Sequence, residues 1–487
     1  MKKIIIHLLD EVNCKISGLE PVDIRKCVNT LKFEDPKARH TPAVRLGRWD
    51  GKVNFFSVGG GTQINLLDRI LPHIESAGYE IEIDDQRNPF NFNVNQIDEN
   101  VISDCLWPKD HATHANQPIV LRQHQVDIIN NFLSSPQGIQ VAPTSAGKGI
   151  TIAALCRIVE HLGRTIVIVP NKSLVNQTRE EFRLLGLDVG VYFGDEKQMN
   201  KQHTICTWQS LSVLLKDTKS GKKGDGEDII SLIDGVNAII CDEVHGAKAN
   251  ELKELLTKVF HHIPIRWGLT GTMPKLDFEA LSIVGSLGKV ISTIKASTLQ
   301  ENGVMSNCNI NVLQIQDDRK FGDYHGEYQY LVNDPDRQEL IAGYIENIGD
   351  TGNTLVLVQN INTGENLERL IPGAKFLQGA DKVADRKEEY DTFATENNLV
   401  LIATYGIAST GINIPRIYNL VLIEPGKSFV KTIQSIGRSL RRATDKDHAV
   451  IYDICSSCKY SKRHLTSRKE YYRDAGYPFQ VIKVTKD

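Results

Sequence analysis

The segment that most constrains this chain is a loop of small residues, APTSAGKG at 142–149. It follows an apolar run at 138–141 and precedes a helix-like run at 150–162. Such a loop turns backbone N–H groups and a helix N-terminus toward phosphates, and its lysine, Lys148, reaches the β- and γ-phosphate oxygens. The loop therefore predicts a parallel α/β domain that holds a nucleoside triphosphate.

The loop departs from the usual pattern at its last residue. The position after the lysine ordinarily carries a Ser or Thr hydroxyl that binds Mg²⁺, and here it is Gly149. A water could fill that place, because Mg²⁺ keeps waters readily. Losing one ligand would cost roughly 1–3 kcal/mol, by analogy with charged hydrogen bonds. We expect nucleotide binding to survive and hydrolysis to be slower or to need more Mg²⁺. Thr144 and Ser145 are predicted to shape the loop rather than to replace the ligand.

Length and composition are those of an ordinary globular protein with two or three domains. The 487 residues are 41% apolar and 24% charged, with a net charge of −3. This charge excludes a global basic field, so nucleic-acid binding must come from local patches. Nine cysteines favour reduced thiols, and no run reaches the roughly 18–20 apolar residues of a membrane span. We therefore expect a cytoplasmic protein with no membrane partner.

Two series of apolar, β-branched runs alternate with helical periods, which indicates two parallel sheets covered on both faces. The runs of the first series lie at 139–141, 165–169, 204–206 and 238–241. Those of the second lie at 354–358, 375–377, 399–404, 419–423 and 449–452. Residues 294–323 are predicted to join the two series.

The remaining segments set the predicted domain boundaries. The pattern predicts a small N-terminal domain at 1–110, with a helix at 66–77, and two larger domains at 111–300 and 301–487. The last of these ends in a basic segment, KYSKRHLTSRKEYYR. That segment is interpreted either as a nucleic-acid contact or as a solvated helix.

Two carboxylates follow the apolar run that ends at Cys241, in the segment CDEVH. Ligands of open α/β sheets bind at the carboxyl ends of strands. Asp242 is therefore predicted to hold Mg²⁺, and Glu243 to orient and deprotonate the attacking water. An acidic surface turn is the alternative, and the upstream phosphate loop argues against it.

A cationic helical face is predicted in QSIGRSLRR at 434–442. Three residues follow Gln434 at helical spacing: Gly437, Arg438 and Arg441 lie three, four and seven positions after it. All four therefore share one face of the helix. We expect Arg438 and Arg441 to neutralise charge on the γ-phosphate, with Gln434 beside them. A solvated cationic face is the alternative.

In their order along the chain, these motifs resemble those of superfamily-2 helicases of the DExH type. The matching segments are LRQHQ (121–125), APTSAGKG, VPNKSLVNQT (169–178), ICTWQSL (205–211), DEVH, TGT (270–272), TLVLVQN (354–360), STGINIP (409–415) and QSIGRSLRR. The resemblance covers about 119–455. It implies an α/β fold with two RecA-like parallel-sheet motor domains preceded by a small α+β N-terminal domain, and ATP and Mg²⁺ as cofactors. The implied nucleotide contacts are Gln125, Pro143, Thr144, Ser145, Ala146, Gly147, Lys148, Gly149, His245 and Gly411.

The chain resembles in particular the UvsW-type DNA helicases of T4-like phages, and the resemblance extends to RLGRWDGKVNFF at 45–56. This resemblance implies that the N-terminal domain binds DNA. It also implies ATP-driven remodelling of forks, R-loops and four-way junctions, with branch migration and annealing, in phage recombination, repair and replication. Single-strand binding proteins and recombination proteins are the implied protein partners.

Nucleic-acid contacts are predicted at two places. Small or polar donors at strand ends suit phosphate contacts without base recognition, and the resemblance places them along one strand of the nucleic acid. These donors are Asn171, Lys172, Thr207, Gln209 and Thr410. In the N-terminal domain, Arg45 and Arg48 flank Trp49, a mixture suited to phosphate contact and stacking.

Three functions remain open at this point. The first is a DNA helicase that remodels branched DNA. The second is an RNA helicase or another superfamily-2 translocase, such as a restriction motor. The third is a nucleic-acid annealing module whose ATPase is weakened by Gly149, which Lys148, Asp242, Glu243, Arg438 and Arg441 argue against.

Overall fold

The computed structural model describes residues 2–485 with gaps. The residues outside it are 1, 37, 110, 112–113, 144–145, 200, 221–227, 246–249, 382, 410–415, 427–447 and 486–487. By its internal contacts the chain divides into two compact units. The first comprises Met1–Val141 and Gly147–Thr293, and the second comprises Ile294–Asp487 with Ala142–Ala146. Among the described helices, none is long and apolar enough to cross a membrane.

The first unit begins with a small mixed α+β region. Its strands are β1 (Lys2–Leu8), β2 (Asn13–Ser17), β3 (Lys32–Glu34), β4 (Lys52–Asn54), β5 (Gly61–Gln63) and β6 (Tyr79–Asp85). Its helices are α1 (Pro21–Thr30), α2 (Pro42–Arg45) and α3 (Leu71–Ser76). Four strands form a sheet in the order β5-β2-β1-β6, where β1 pairs antiparallel with β2 and parallel with β6. Strands β3 and β4 form a separate antiparallel pair.

A large parallel sheet follows in the same unit. Its strands are β7 (Gln137–Val141), β8 (Arg164–Val169), β9 (Val189–Phe193), β10 (Glu196–Lys197), β11 (His203–Thr207), β12 (Val236–Asp242), β13 (Ile265–Thr270) and β14 (Val290–Thr293). They are arranged in the order β10-β9-β11-β8-β12-β13-β7-β14. All neighbours pair in parallel except β9 and β10 at one edge.

Helices cover this sheet. They are α4 (Gln123–Leu133), α5 (Lys148–Val159), α6 (Lys172–Leu184), α7 (Trp208–Lys219), α8 (Ile229–Ile233), α9 (Asn250–Glu254) and α10 (Asp277–Leu287). Strands β11 and β13 are buried along their whole length. Burial on both faces explains why these strands do not alternate between buried apolar and exposed polar residues. Their polar residues, such as His203 and Arg266, are buried as well.

The N-terminal sheet shares its hydrophobic core with α10. Leu281 of α10 packs in one buried cluster with Ile4, Phe56 and Ile74. The backbone N–H of Glu11 also donates to the carbonyl of His261, at 3.0 Å. The N-terminal region is therefore joined to the first parallel sheet by both apolar and hydrogen-bonded contacts.

The second unit contains another parallel sheet. Its strands are β15 (Asn307–Ile315), β16 (Thr354–Val358), β17 (Lys375–Leu377), β18 (Val400–Thr404), β19 (Asn419–Ile423), β20 (His448–Ser456) and β21 (Phe479–Val484). Their order is β17-β18-β16-β19-β20-β15-β21, with parallel pairing throughout. The accompanying helices are α11 (Ala296–Glu301), α12 (Tyr324–Asn333), α13 (Pro335–Gly349), α14 (Ile361–Leu370), α15 (Val383–Thr395), α16 (Tyr405–Ser409) and α17 (Lys459–Ala475).

The predicted fold class is confirmed: two parallel-sheet domains follow a small α+β region. Two local expectations differ from the structure. Residues 294–323 do not merely join the two series, because β15 pairs with both β20 and β21. The helix predicted at 66–77 is divided into a 3₁₀ segment, Ile64–Arg69, and α3, where Pro72 lies in the first turn. In addition, no run is predicted at β21, because most of its residues are exposed and its apolar pattern is weak.

Candidate active site

The described part of the phosphate loop ends at the start of α5. Gly147 has φ = +75°, a left-handed conformation that favours glycine. A Cβ atom there would also lie 2.5 Å from Nε2 of Gln125, so space as well as conformation selects glycine. Gly147 is the N-cap residue of α5 and has no side chain to cap the helix, an arrangement that suits anion binding by backbone N–H groups.

Gln125, the last residue of the LRQHQ segment, connects that segment to this loop. It lies in the first turn of α4 and is 5% exposed. Its Oε1 accepts the backbone N–H of Arg122 at 2.9 Å, and its Nε2 donates to the carbonyl of Gly147 at 3.3 Å. The glutamine therefore couples the start of α4 to the residue that immediately precedes Lys148.

Lys148 and Glu243, which are far apart in sequence, form a buried ion pair. Nζ of Lys148 lies 2.8 Å from Oε1 of Glu243, with 5% and 8% of the two side chains exposed. Glu243 follows β12 with φ = +52°, which is uncommon for a residue other than glycine. Parallel strands β7 and β12 end at the same edge of the sheet, and this topology brings the lysine and the glutamate together.

The surroundings shift the pKa values of Asp242 and Glu243 in opposite directions. Burial raises the pKa of Asp242 to about 6, although the charge of Lys148 opposes the change. Burial also disfavours ionised Glu243, but attraction by Lys148 and the contacts with His245 outweigh it and lower the pKa of Glu243. Oδ1 of Asp242 accepts the backbone N–H of Glu243 at 2.9 Å. Glu243 is therefore firmly ionised, whereas Asp242 is readily protonated when no cation is bound.

The TGT segment supports Glu243 from the neighbouring strand. The backbone N–H of Gly271 donates to Oε2 of Glu243 at 3.4 Å. Nδ1 of His245 lies 3.3 Å from the same oxygen and 3.0 Å from Oγ1 of Thr270. Glu243 is thus held on one side by Lys148 and on the other by Gly271 and His245.

Sequence reasoning missed Glu181, a residue of α6. If Gly149 carried a Cβ atom, Oε2 of Glu181 would lie 1.6 Å from it. Two sequence signals point to such a neighbour: a glycine where a hydroxyl is usual, and an acidic residue on the helix after the next strand. Their proximity, however, depends on how α5 and α6 pack.

The predicted strand-end contacts are grouped at two helix starts. Asn171 is the N-cap of α6, where its side chain accepts the N–H of Leu174 at 3.0 Å. Thr207 is the N-cap of α7 and accepts the N–H of Ser210 at 3.3 Å. Gln209 donates to the carbonyl of Pro170 at 3.3 Å, and Lys172 is exposed at the start of α6. The two helix N-termini therefore lie together at one edge of the sheet, where N–H groups suit phosphate oxygens.

The predicted N-terminal patch has two exposed arginines and a partly buried tryptophan. Arg45 and Arg48 are exposed, whereas Trp49 is half-buried. The indole N–H of Trp49 donates to the carbonyl of Lys52 at 2.8 Å, so the indole is fixed against the start of β4. Arg45 and Arg48 take no part in this contact, and their exposed side chains are accessible to phosphate groups.

Several predicted site residues lie outside the part of the chain that the structure describes. They are Thr144, Ser145, Thr410, Gly411, Gln434, Arg438 and Arg441. Pro143 and Ala146 are described, and the N–H of Ala146 donates to the carbonyl of Pro143 at 3.0 Å.

Comparison with known proteins identifies the class. Residues 118–275 match the family described as type III restriction enzyme, res subunit, and residues 336–443 match the helicase conserved C-terminal domain. Together with the motif order, the fold and the Lys148–Glu243 site, these matches place the chain in superfamily 2 of the helicases. It is an enzyme that uses ATP, as the motifs predicted.

The chain is also similar to individual helicases. The chain is similar to the ATP-dependent DNA helicase UvsW of Enterobacteria phage T4, with 24% identity over 468 residues, covering 91% of this chain and 88% of that protein. The DNA 3′–5′ helicase XPB of Kineococcus radiotolerans is 21% identical over 385 residues, covering 74% and 65%. The structure of Dbp5 from S. cerevisiae bound to RNA and ADP BeF3 has a TM-score of 0.51 at 16% identity, covering 76% and 91%. At that identity the likeness concerns the fold alone.

Proposed function

We propose that this chain is an ATP- and Mg²⁺-dependent DNA helicase that remodels forks, R-loops and four-way junctions by branch migration and annealing. The observation that carries the proposal is the similarity to the T4 UvsW helicase over 91% of the chain. Because so little of the chain is left unmatched, the similarity extends well into the N-terminal region, beyond the motor motifs. Recombination, repair and replication of phage DNA are the proposed setting, with single-strand binding and recombination proteins as partners.

The proposed chemistry begins with an exchange of partners by Lys148. In the structure its Nζ contacts Glu243, and ATP would offer β- and γ-phosphate oxygens in place of that carboxylate. Glu243, released on that side and still held by Gly271 and His245, would accept a proton from the attacking water. Arg438 and Arg441 would neutralise charge on the γ-phosphate, with Gln434 on the same face.

The donor set at the end of β12 fits Mg²⁺. Asp242 offers carboxylate oxygen, the ligand type that this ion prefers, in a partly buried place where its ionised form lacks full solvation. A cation would favour the ionised form of Asp242. When bound there, Mg²⁺ would neutralise charge on the β- and γ-phosphates.

The proposed division of labour follows the predicted domains. Residues 111–300 and 301–487 would form the motor, with Asn171, Lys172, Thr207, Gln209 and Thr410 along one strand of DNA. Residues 1–110 would contact the branch through Arg45, Arg48 and Trp49. The shared core with α10 supports this division, because it ties the branch-binding region mechanically to the first motor domain.

The test compares substrates in one assay. ATP turnover and strand separation would be measured on single-stranded DNA, forks, R-loops, four-way junctions and RNA duplexes, with Lys148→Ala as the inactive control. We expect the largest stimulation on branched DNA. Equal or greater activity on RNA duplexes would favour an RNA helicase. Annealing without nucleic-acid-stimulated turnover above the control would favour an annealing module.

A further inference from the structure

Glu181 lies where a side chain on residue 149 would be. Its Oε2 is 1.6 Å from the position that a Cβ atom of Gly149 would take, and its carboxyl carbon is 2.4 Å from it. The first distance is about one covalent bond length, so this oxygen lies about as far from the Cβ position as a serine hydroxyl would. Oε2 is also buried.

The neighbouring residues on α6 show that this orientation is particular to Glu181. Glu180 is exposed and pairs with Arg183 at 2.9 Å, one turn further along the helix. Oε1 of Glu181 accepts from Nε2 of Gln177 at 3.4 Å, while Oε2 lies against Gly149. Helices α5 and α6 pack against each other, so Glu181 reaches the phosphate loop from a second helix.

We propose that Glu181 supplies to the Mg²⁺–nucleotide site the oxygen ligand that Gly149 lacks. The inference rests on the proposed function, in which the loop holds ATP with Mg²⁺. Carboxylate oxygen is as suitable for this ion as a hydroxyl, and it adds a negative charge. Gly149 and Glu181 would act together, because only a residue without a side chain leaves space for the carboxylate.

The added charge gives the site a distinctive property. With Mg²⁺ bound, Glu181 attracts the complex, but without a cation the same carboxylate repels the phosphates. Nucleotide affinity should therefore depend on Mg²⁺ more strongly than in a loop that uses a neutral hydroxyl. A purely structural glutamate would change both affinities alike.

The experiment measures the dissociation constant of a fluorescent ADP analogue, once with Mg²⁺ and once with EDTA. Glu181→Gln should weaken binding with Mg²⁺ by about ten- to a hundred-fold, the equivalent of one charged hydrogen bond. In EDTA it should leave binding unchanged or tighter. Glu181→Asp has a shorter side chain, so its affinity with Mg²⁺ should lie between those of the unaltered protein and Glu181→Gln. Glu180→Gln, on the same helix, is the matched control.

A serine at position 149 provides a second, independent test. Gly149→Ser alone should gain nothing, because the new side chain and Glu181 compete for one place. Gly149→Ser combined with Glu181→Ala should recover Mg²⁺-dependent binding relative to Glu181→Ala. Manganese affinity in the presence of ADP, measured by electron paramagnetic resonance, should rank the variants in the same order as their Mg²⁺-dependent nucleotide affinity.

The outcomes separate this inference from the proposed function. Equal weakening with Mg²⁺ and with EDTA would mean a structural role and overturn the inference. Unchanged affinities in Glu181→Gln would overturn it as well, while leaving the nucleotide site intact. Failure of the unaltered protein to bind the analogue under either condition would overturn the proposed function itself. Thermal unfolding without nucleotide confirms that each variant is folded.

Discussion

At the scale of single residues, the main feature is the buried ion pair between Lys148 and Glu243. Both side chains are nearly fully buried, and their charges are 2.8 Å apart. A buried charge without a partner is costly, so each residue stabilises the other's ionised state. This pairing therefore keeps Glu243 ionised and holds its carboxylate in place.

This pairing predicts a non-additive effect on stability. Lys148→Ala should lower the free energy of unfolding by roughly 3–5 kcal/mol, because Glu243 is left buried and unpaired. The double variant Lys148→Ala with Glu243→Gln should recover much of that loss. Urea unfolding without nucleotide measures both, and additive losses would contradict the interpretation.

Asp242 predicts a dependence of stability on pH. Its pKa is raised from an ordinary value of 3.8 to about 6, so the folded state holds the proton more tightly than the unfolded state. The stabilisation is complete below about pH 4 and is lost as pH rises through about 6. Above pH 6 in EDTA, Asp242→Asn should be more stable than the unaltered protein by roughly 3 kcal/mol.

Thermal unfolding from pH 5 to pH 8 tests this prediction. The advantage of Asp242→Asn should grow up to about pH 6 and then level off. With Mg²⁺ and ADP the order should reverse, because the cation favours ionised aspartate. An advantage independent of pH would contradict the prediction.

At the scale of secondary-structure elements, a buried arginine side chain donates hydrogen bonds to backbone carbonyls of two helical segments. Arg266 of β13 is fully buried and donates to the carbonyls of Leu256 at 2.6 Å and Ser286 at 2.8 Å. These carbonyls belong to the π-helical segment Leu255–Val259 and to α10. One guanidinium thus satisfies backbone groups of two elements.

Removing this guanidinium should destabilise the first unit. Arg266→Met keeps an apolar side chain but leaves buried carbonyls without donors, at an expected cost of roughly 2–5 kcal/mol. Hydrogen exchange should increase first in residues 255–263. Lys258→Met, an exposed change in the same segment, is the control, and equal effects of the two would contradict the assigned role.

At the scale of the whole molecule, the N-terminal region carries the proposed branch contact. Arg45→Glu with Arg48→Glu should weaken binding to forked DNA by about tenfold or more and reduce its salt dependence, because phosphate contacts release counterions. ATP turnover on single-stranded DNA should be retained. Arg25→Glu, an exposed change on α1, is the matched control.

Fluorescence titrations at two salt concentrations measure this effect, together with ATP turnover. If the double variant binds forks as tightly as Arg25→Glu does, the N-terminal region is not the branch contact. If turnover on single strands falls to the same extent as fork binding, the substitutions have altered the motor instead.

Much of the fold could be predicted because burial on both faces leaves a local signal. The apolar runs at 165–169, 204–206 and 238–241 lie within β8, β11 and β12. The signal failed at the fully buried β13, whose run contains Arg266 and Gly268, and at strands where burial is partial. Strand β21 has exposed and polar residues, and β15 alternates apolar residues with asparagines, so neither gives a continuous run.

The motifs of the chain already define the class of enzyme, because the phosphate loop, DEVH and TGT occur in the required order at strand ends. Tertiary structure alone decided which groups meet there. The Lys148–Glu243 pair joins residues that follow two non-consecutive strands, β7 and β12, and Glu181 reaches Gly149 only through the packing of α5 on α6. Local patterns specify strands and helices, whereas contacts between distant residues depend on strand order and helix packing. For that reason Gly149 indicates a missing ligand in the sequence, and only the folded chain places another oxygen beside it.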